Sequence, residues 1–595
     1  MVKPRQGAAE SIAAAPIIDR AVAVQLSAAL AGENRFAFAQ AFCTSIVEGL
    51  RDPAEPDLGL PEPPGNFRET LNGEAESTAR RIAAGLRLFS APEMAHVIGT
   101  LYTTLLPETF RGRYGIFYTP PLLVESLLSL AEQSGVDWTA AHVLDPACGG
   151  GAFLVGVAGR MLRDLKGAEP AIALQSIAAR LRGFDLDPYG AWLAQAMLAI
   201  ALKPLAQAAG RRLPGIVEGR DSLELRPEEA ESRDLVIGNP PYGRVSLSPE
   251  RRRLYSRSVY GHANLYGVFT EAALHWAKPG AVIGYVTPTS MLSGLYYKAL
   301  RSLLAAEAPP LAIHFVSERD GVFADVLQET MLATYRKGGT PVAGSVGFID
   351  VARNSRILNR KAERFTLPIT PASPWLLPRA PEQAALTRRL RSMPHRLADY
   401  GCSVSTGPLV WNRFKEQFRT QPRTGDFPVI WAESVSSDGR FVWRSEKRNH
   451  APWFAARRPK DDWLIVTQPC VLVQRTTAKE QPRRLIAAEL PAIFIRRHGG
   501  VTVENHLNMV RPIIGEAPLP PAVIAALLNS AAVDAAFRCL NGSVAVSAFE
   551  LEELPLPNPI FMTRVASLVA AAAPAAKIEA VIAAAYGGND AVAAD

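Results

Sequence analysis

The sequence predicts an α/β fold, a doubly wound and mostly parallel sheet, with a helical region before it and a mixed α+β domain after it. Between about 110 and 340, short apolar strands such as HVLDPA (142–147) and DLVIGNPP (234–241) alternate with helical segments. This alternation is typical of a parallel sheet covered by helices. Before residue 105, apolar residues recur at helical spacing. Beyond residue 340 the segments are short and irregular, which indicates a separate mixed domain.

These differences divide the chain into three parts. At 595 residues the chain is long enough for several domains. We predict a helical N-terminal region at 1–109, an α/β domain at 110–345 and a C-terminal domain at 346–595. The Ala-rich tail from Ile560 predicts one closing helix.

The composition argues against several classes of protein. Hydrophobic residues make up 48% and charged residues 20%, which is typical of globular domains. No apolar run approaches the roughly 20 residues of a membrane helix, and the N-terminus lacks the apolar core of a signal peptide. The cysteines are odd in number and lack CxxC pairs: Cys43, Cys148, Cys402, Cys470 and Cys539. We therefore expect a cytoplasmic protein with no membrane partner, no disulfide framework and no metal site.

The positive charge is concentrated in the C-terminal half. The whole chain carries a net charge of +7, whereas residues 351–560 hold 29 basic against 18 acidic residues. Such an excess favours a polyanionic partner such as a nucleic acid. An arginine-rich solvated surface would give the same count, so charge alone leaves both interpretations open.

A strand, a Gly-rich turn and a helix follow one another in VLDPACGGGAFLVGVAGRML (143–162). Gly149, Gly150 and Gly151 would let the backbone approach a ligand, and the following helix would offer free N–H groups. The chain contains no GxxxxGK[ST] phosphate-binding loop. The sequence therefore favours a nucleoside ligand without phosphates.

Acidic residues follow the next two predicted strands at the same edge. LRGFDLD (181–187) ends in Asp185 and Asp187, where this architecture binds ribose hydroxyls. Asp187 precedes Pro188 and also fits a helix N-cap, which does not account for Asp185. GRDSLEL (219–225) brings Asp221 to this edge, either to accept a hydrogen bond from an adenine amino group or as an exposed turn residue.

The segment DLVIGNPPYGRV (234–245) runs from an apolar strand into Asn239, Pro240, Pro241 and Tyr242. Because proline fixes φ and cannot extend a sheet, the ordinary interpretation is a stiff turn. The chemical interpretation is that the amide and the aromatic ring are held rigidly around a planar group.

Six sequence blocks in one order resemble the TaqI-like, gamma-class adenine-N6 DNA methyltransferases. They are GIFYTPPLLVESL (115–127), DPACGGGAFL (145–154), FDLDP (184–188), NPPYG (239–243), NLYGVFTEAALHWAKPGAVIGYVTPTSML (264–292) and VFADVLQETMLATYRKG (322–338). The resemblance covers 110–340 closely and the C-terminal half loosely. It implies a class I S-adenosylmethionine-dependent methyltransferase fold and site-specific methylation of double-stranded DNA in a restriction-modification or phage-defence system.

The resemblance implies that S-adenosylmethionine is the methyl donor. Thr119 would bind the methionine carboxylate of the cofactor. Asp145, Ala147 and Gly149 would line its methionine end.

The nucleoside part of the cofactor would meet two further carboxylates. By the same resemblance, Asp185 would hold the ribose and Asp221 the adenine. Ile116, Phe117 and Tyr118 would either help to cover the cofactor or pack in the core.

The resemblance also implies that the NPPY segment binds a flipped adenine. The amide oxygen of Asn239 and the carbonyl of Pro240 would accept the N–H hydrogens of the target amine, which turns its lone pair toward the methyl group. Tyr242 and Phe323 would stack on the base. Methylation of cytosine-N4, of a protein glutamine-N5 or of RNA is chemically close, and a DNA-binding module with a relic cofactor fold is the non-enzymatic alternative.

The C-terminal half resembles the target recognition domain of that family. The basic residues that would meet phosphates, or simply be solvated, are Arg413, Lys415, Arg475, Lys479, Arg483 and Arg484. The tryptophans predicted to lie in the core are Trp411, Trp431, Trp443 and Trp453. Residues 1–110 lack a spaced Asp…Glu-x-Lys metal site, so we expect modification without cleavage. A separate restriction endonuclease, a solitary methylase and a phage-defence system are all compatible with this interpretation.

Overall fold

The computed structural model describes residues 19–30, 32–51, 60–63, 71–107, 119–317, 329–340, 343–351, 357–447, 449–477, 482–513, 519–541 and 545–587. Its contacts divide the chain into two compact units. The first holds the described residues up to Thr287, those between Leu303 and Ala324, and those between Thr330 and Asn359. The second holds Pro288–Ser302, Glu329 and the described residues from Arg360 onward.

A nine-stranded sheet forms the centre of the first unit. Its strands are β1 (Val143–Asp145), β2 (Leu181–Asp185), β3 (Val217–Gly219), β4 (Arg233–Gly238), β7 (Ala277–Pro288), β8 (Pro310–Ser317), β9 (Thr330–Arg336), β10 (Gly344–Val351) and β11 (Ile357–Phe365). A small antiparallel pair, β5 (Arg244–Val245) and β6 (Ala263–Asn264), lies outside this sheet. The order across the sheet is β11-β10-β8-β9-β7-β4-β1-β2-β3.

The strand order reverses beside β1. This strand pairs in parallel with β2 on one side and with β4 on the other, and β4 continues in parallel to β7. Strand β9 runs antiparallel to β8. The predicted doubly wound α/β architecture is therefore confirmed. In such sheets, ligands bind outside the carboxyl ends of the strands where the order reverses, which here are the ends of β1 and β4.

Helices cover the sheet and extend its core to the N-terminal region. They are α1 (Gly32–Gly49), α2 (Gly73–Leu86), α3 (Ala91–Leu105), α4 (Pro121–Gln133), α5 (Ala152–Asp164), α6 (Pro170–Arg180), α7 (Pro188–Ala201), α8 (Lys203–Ala209), α9 (Pro249–Leu254), α10 (Leu265–Trp276) and α11 (Lys298–Glu307). Residues 19–28 are also helical. Phe42 of α1 and Tyr102 of α3 lie in the same apolar core as Leu154 of α5 and Tyr189 of α7.

The described N-terminal helices therefore pack as part of the α/β unit. The hydroxyl of Tyr189 donates to the carbonyl of Gln40 at 3.0 Å, and that of Tyr102 donates to Asp187 at 3.0 Å. The predicted boundary at 109/110 lies outside the described residues. The boundary at 345/346 falls inside β10, which pairs with β8, so a break there would cut the sheet. The division of the chain into three parts stays a prediction.

The second unit mixes sheets and helices, as the sequence predicts. Its strands are β12 (Cys402–Thr406), β13 (Phe418–Arg419), β14 (Phe427–Ile430), β15 (Trp453–Phe454), β16 (Ile465–Val466), β17 (Cys470–Gln474), β18 (Ala487–Leu490), β19 (Val501–Val503) and β20 (Leu507–Pro512). They form sheets ordered β12-β20-β17-β18 and β13-β15-β14-β19-β16. Its helices are α12 (Ala384–Arg391), α13 (Ala492–His498), α14 (Pro521–Leu528), α15 (Ala531–Leu540), α16 (Ala548–Glu552), α17 (Pro559–Ala570) and α18 (Ala575–Gly587).

The prediction of one closing helix is wrong. The tail folds as two helices, α17 and α18, which end and begin on either side of Ala572. Ala572 has a φ of +48°, outside the helical region, and Pro574 follows it. Because proline cannot donate a helical hydrogen bond, a new helix starts after it.

The five cysteines all lie in the described part of the chain, where each is buried and none forms a disulfide. In the part of the chain that the structure describes, no group of three or more His, Cys, Asp or Glu side chains could hold a metal ion. Over the same residues no single helix is long and apolar enough to span a bilayer, and one pair, α14 and α15, meets that length and composition only jointly across a 70° bend.

Candidate active site

Strand β1 ends in a buried carboxylate that is only half satisfied. Asp145 is 1% exposed, and its Oδ1 accepts a hydrogen bond from the backbone N–H of Ala147 at 3.1 Å. Within the described part of the chain, no group donates to its buried Oδ2. Burial, with a smaller contribution from the charge of Asp185, raises the pKa of Asp145 to about 8. A ligand that brings a hydrogen-bond donor or a positive charge would satisfy this oxygen.

The space for this carboxylate comes from Gly238, the last residue of β4. A Cβ at Gly238 would lie 2.6 Å from Asp145 Oδ1, closer than any van der Waals contact allows. Glycine is thus required immediately before Asn239. The sequence analysis missed Gly238, although a glycine closing a strand of otherwise bulky residues signals a close approach of this kind.

The Gly-rich turn after β1 is held in place by β2. Gly149 has a φ of +50°, and its N–H donates to Asp185 Oδ2 at 2.8 Å. Gly151 has a φ of +84°, and a Cβ there would lie 2.9 Å from the Cα of Ala194. Gly151 therefore serves the packing of α5 against α7, whereas ligand approach along this turn stays a prediction.

The two carboxylates after β2 have different surroundings. Asp187 caps α7 by accepting a hydrogen bond from the N–H of Tyr189 at 3.0 Å, so the capping interpretation is confirmed. Asp185 is half-buried and accepts from the N–H groups of Gly149 and Asp187, both at 2.8 Å. Burial raises the pKa of Asp185 to about 6. Its position on the cavity described below leaves a ribose-binding role open.

Asp221 forms an ion pair that the sequence analysis missed. Its Oδ1 accepts from the N–H of Leu223 at 2.9 Å, and its Oδ2 accepts from the guanidinium of Arg251 at 2.5 Å. Arg251 lies on α9, which Ser248 caps and which contains three consecutive arginines. This run of arginines in the near-neutral N-terminal half of the chain is the sequence signal from which the ion pair could have been predicted.

The NPPY segment leaves β4 as a compact, hydrogen-bonded corner. The amide Nδ2 of Asn239 donates to Thr119 Oγ1 at 3.1 Å. The hydroxyl of Tyr242 lies 2.7 Å from Asn239 Oδ1 and 3.2 Å from the carbonyl of Val286, so its proton can go to either acceptor. The Tyr242 ring packs edge-on against Tyr266, with 6.1 Å between ring centroids. Burial raises the pKa of Tyr242 well above its ordinary value, so the hydroxyl stays protonated.

One cavity of about 450 Å³ joins this corner to the Gly-rich turn. The predicted site residues that line it are Ala147, Gly149, Asp185, Asp221, Asn239 and Pro241. Thr119 and Tyr242 are not among the lining residues but hydrogen-bond to Asn239, Asp145 bonds to Ala147, and Pro240 is buried. Apolar lining residues that the sequence analysis missed include Leu186, Leu223 and Phe269. Ligand pockets of small molecules have volumes of this order.

Four predicted site residues lie outside the part of the chain that the structure describes. Phe323, the second predicted stacking residue, lies outside the described residues. The same holds for Ile116, Phe117 and Tyr118, which were expected to cover the cofactor or pack in the core.

Comparison with known proteins finds methyltransferases. The family model described as Eco57I restriction-modification methylase matches residues 216–323, and the RMKL-like methyltransferase domain matches 123–266. Type II methyltransferase M.BsuBI of Bacillus subtilis is 25% identical over 57% of this chain and 68% of its own. M.PstI of Providencia stuartii is 26% identical over 54% and 64%. M.TthHB8I of Thermus thermophilus is 31% identical over 41% and 50%.

The chain is similar in sequence to Type II methyltransferases over part of its length. The matched segments span between 50% and 68% of the length of these three relatives. Among solved structures, the Type IIL restriction-modification enzyme MmeI in complex with DNA has a TM-score of 0.54 at 13% identity, covering 91% of this chain and 87% of that one. The DrdV–DNA complex has a TM-score of 0.51 at 11% identity, covering 94% and 70%. The first unit has the class I S-adenosylmethionine-dependent methyltransferase fold.

The residues of the cavity fit the cofactor that this fold implies. S-adenosylmethionine carries a sulfonium and an ammonium group but no phosphate. Carboxylates line the cavity, and Arg251, the basic residue of its described lining, is already paired with Asp221. The unsatisfied oxygen of Asp145 lies beside Ala147 of the lining. These hydrogen-bond acceptors suit a cationic nucleoside and would disfavour a polyphosphate.

Of the basic residues predicted to meet DNA in the second unit, two are exposed and one is buried. Arg413 and Lys415 are exposed, and Lys415 Nζ lies 5.2 Å from the centroid of the Trp411 ring. Arg484 is 3% exposed, donates to the carbonyl of Thr477 and to Asn541 Oδ1, and is therefore a structural residue that cannot meet phosphates.

The remaining predictions for this unit have mixed outcomes. Arg475 and Arg483 are half-buried, and Lys479 lies outside the described residues. Trp431 is in the core, and Trp443 and Trp453 are partly buried. Trp411 is 37% exposed, so its assignment to the core is wrong.

Proposed function

We propose that this chain is a gamma-class, TaqI-like DNA methyltransferase that methylates the N6 amino group of adenine in double-stranded DNA, as the modification enzyme of a restriction-modification or phage-defence system. One observation carries the proposal. The amide of Asn239 and the Gly-rich turn at Ala147 and Gly149 open onto the same cavity. A side chain that can accept hydrogen bonds from an amine and a space large enough for the cofactor thus lie together at the point where the strand order reverses.

The chemistry asks for hydrogen-bond acceptors at the target amine. The exocyclic amine of adenine is a poor nucleophile because its lone pair is delocalised into the ring. If the Oδ1 of Asn239 and the carbonyl of Pro240 accept its two N–H hydrogens, the nitrogen becomes more tetrahedral and its lone pair points away from the ring. Pro240 and Pro241 hold both acceptors at a fixed geometry, so little ordering is left to the substrate.

S-adenosylmethionine supplies the electrophilic methyl group when it is bound. Asn239 does not need to take a full proton, because the methylated amine is acidic while it is positively charged and can lose its proton to water afterwards. Tyr242 does not act as a base either, since burial raises its pKa and leaves the hydroxyl a hydrogen-bond donor at neutral pH.

The target base has to leave the duplex to reach such a site, which costs a few kcal/mol of unstacking. Stacking on an aromatic ring returns about 1–3 kcal/mol per base. Tyr242 is half-buried at the rigid corner and is the described residue that we propose for this role. Phe323 is its proposed partner by sequence resemblance. In the second unit, exposed Arg413 and Lys415 would contact DNA phosphates.

The test is to express the chain in a methylation-deficient host and to sequence modified bases in its DNA. We expect N6-methyladenine at one recurring sequence motif. The variant Asn239→Ala should abolish the mark while binding S-adenosylhomocysteine with a wild-type Kd by calorimetry. N4-methylcytosine at the motif would reassign the base, and near-normal methylation by Asn239→Ala would overturn the role of the amide.

We further propose that this chain modifies DNA without cutting it, with cleavage assigned to a separate restriction endonuclease where the system has one. The purified chain, incubated with unmethylated DNA and Mg²⁺, should leave the DNA intact. Double-strand breaks in this assay would contradict the proposal.

A further inference from the structure

The side-chain amide of Asn239 is hydrogen-bonded to Thr119, which lies 120 positions earlier in the chain. Thr119 is 3% exposed, and its Oγ1 accepts the hydrogen bond from Asn239 Nδ2 at 3.1 Å. Each of the two residues is followed by two prolines, in Thr119-Pro120-Pro121 and Asn239-Pro240-Pro241. Because proline fixes the backbone, both side chains stand on stiff supports and their contact is preorganised.

The two ends of the Asn239 amide do different chemistry. The Oδ1 end accepts hydrogens from a substrate amine, whereas the Nδ2 end is a donor and would repel it. The neighbours of the amide are hydroxyls that can both donate and accept: Thr119 at one end and Tyr242 at the other. If the side-chain amide were rotated by about 180°, Thr119 could donate to Oδ1 and Tyr242 could accept from Nδ2. The Tyr242 proton would then go to the carbonyl of Val286, which lies 3.2 Å away. Both orientations are therefore hydrogen-bonded, and these two neighbours alone do not select the active one.

The direction of the Thr119 proton decides between the two orientations. A threonine hydroxyl has one proton, so when that proton is donated elsewhere the oxygen can only accept from Asn239. The amide must then present Nδ2 to Thr119, which leaves Oδ1 for the substrate. Thr119 lies two residues before the first residue of α4, and the dipole of this helix favours an anion near its N-terminus. The methionine carboxylate is the anionic, acceptor-only group of S-adenosylmethionine.

We propose that Thr119 is a positioning residue that couples cofactor binding to the orientation of the Asn239 amide: the cofactor carboxylate accepts a hydrogen bond from the threonine hydroxyl, and the threonine oxygen then accepts one from Asn239 Nδ2. This inference rests on the proposed function. It differs from a simple cofactor contact because it assigns Thr119 an effect on the bound methyl-acceptor base.

The first experiment separates kcat from KM in two variants. Thr119→Val keeps the shape but removes the hydroxyl, and Thr119→Ser keeps the hydroxyl. At saturating S-adenosylmethionine we expect Thr119→Val to lower kcat roughly 10- to 100-fold, the usual effect of a misplaced catalytic group. Thr119→Ser should restore most of it. If Thr119→Val raises only the KM for the cofactor and keeps the wild-type kcat, Thr119 is merely a cofactor ligand and the inference fails.

The second experiment needs no turnover. It measures the Kd for DNA containing adenine at the target, and for matched DNA with purine, which lacks the amino group, with and without S-adenosylhomocysteine. In the wild type, S-adenosylhomocysteine should lower the Kd for adenine DNA roughly tenfold more than it lowers the Kd for purine DNA, which is within the usual range of coupling between sites. Thr119→Val should abolish this difference, as should an aminopropyl analogue of the cofactor that lacks the carboxylate.

Equal coupling with the analogue and with S-adenosylhomocysteine would overturn the role of the carboxylate. Retained coupling in Thr119→Val would overturn the role of the threonine. Both results differ from failure of the proposed function, in which the wild-type protein would methylate no DNA at all.

Discussion

Replacing Gly238 by alanine tests whether the buried carboxylate at the end of β1 shapes the cofactor site. The new Cβ would lie 2.6 Å from Asp145 Oδ1 and 3.3 Å from its Cγ. Asp145 is 1% exposed and cannot swing into solvent, so the carboxylate or strand β4 must shift. Overpacking a buried position costs about 1–3 kcal/mol. If this strain falls on the cofactor site, the Kd for S-adenosylhomocysteine rises roughly 5- to 150-fold, since about 1.4 kcal/mol corresponds to a factor of ten.

Calorimetric titration and urea denaturation measure the two parts of this effect. Gly284→Ala is the matched control, because Gly284 is a buried glycine on the adjacent strand, where a Cβ would meet Leu127 at an ordinary 3.6 Å. We expect Gly284→Ala to bind like the wild type. The reasoning is refuted if Gly238→Ala shows a wild-type Kd and urea midpoint, or if Gly284→Ala is equally impaired.

Two further predictions concern charge. The pKa of Asp145 is raised from 3.8 to about 8, so this group stabilises the ligand-free fold only when neutral, and that contribution is lost as the pH rises between those values. Binding of a cationic cofactor at pH 7 should therefore release the proton of Asp145. Calorimetry in buffers of different ionisation enthalpy measures this release, and the variant Asp145→Asn should reduce it. Unchanged proton release by the variant would contradict the prediction. In the second unit, Arg413→Ala should reduce the slope of log K for DNA against log salt by about 0.9. Arg484→Ala should instead lower the urea midpoint, and a changed slope at wild-type stability would reverse that assignment.

The elements that the sequence predicts well are those set by local patterns. The strands at Asp145, Asp185 and Asn239 were each visible as an apolar run ending in polar residues, and the parallel sheet followed from their alternation with helices. The cap at Asp187 was visible as well, since it depends on neighbouring residues. The order of the strands then places these polar ends together at one edge.

The contacts that sequence analysis missed are made between distant residues. Thr119 and Asn239 are 120 positions apart, and no periodicity relates them. The pairing of Arg251 with Asp221 and the burial of Arg484 depend on tertiary packing. An arginine looks the same in the sequence whether it is solvated or buried. Charge counts therefore predicted a basic unit but not which arginines are exposed.

The way the second unit is assembled from the chain limits how it could be exchanged between relatives. It includes Pro288–Ser302 besides the residues from Arg360 onward. Arg301, fully buried, donates to the carbonyls of Met291 and Ala372, and Ser293 donates to Glu550 at 2.8 Å. A chimaera that grafts only the region after 360 from a relative would disturb the bonds that Arg301 makes to Ala372 and Ser293 makes to Glu550, because one partner of each would come from another protein. Exchange of this unit between relatives therefore has to carry the 288–302 excursion together with the C-terminal graft.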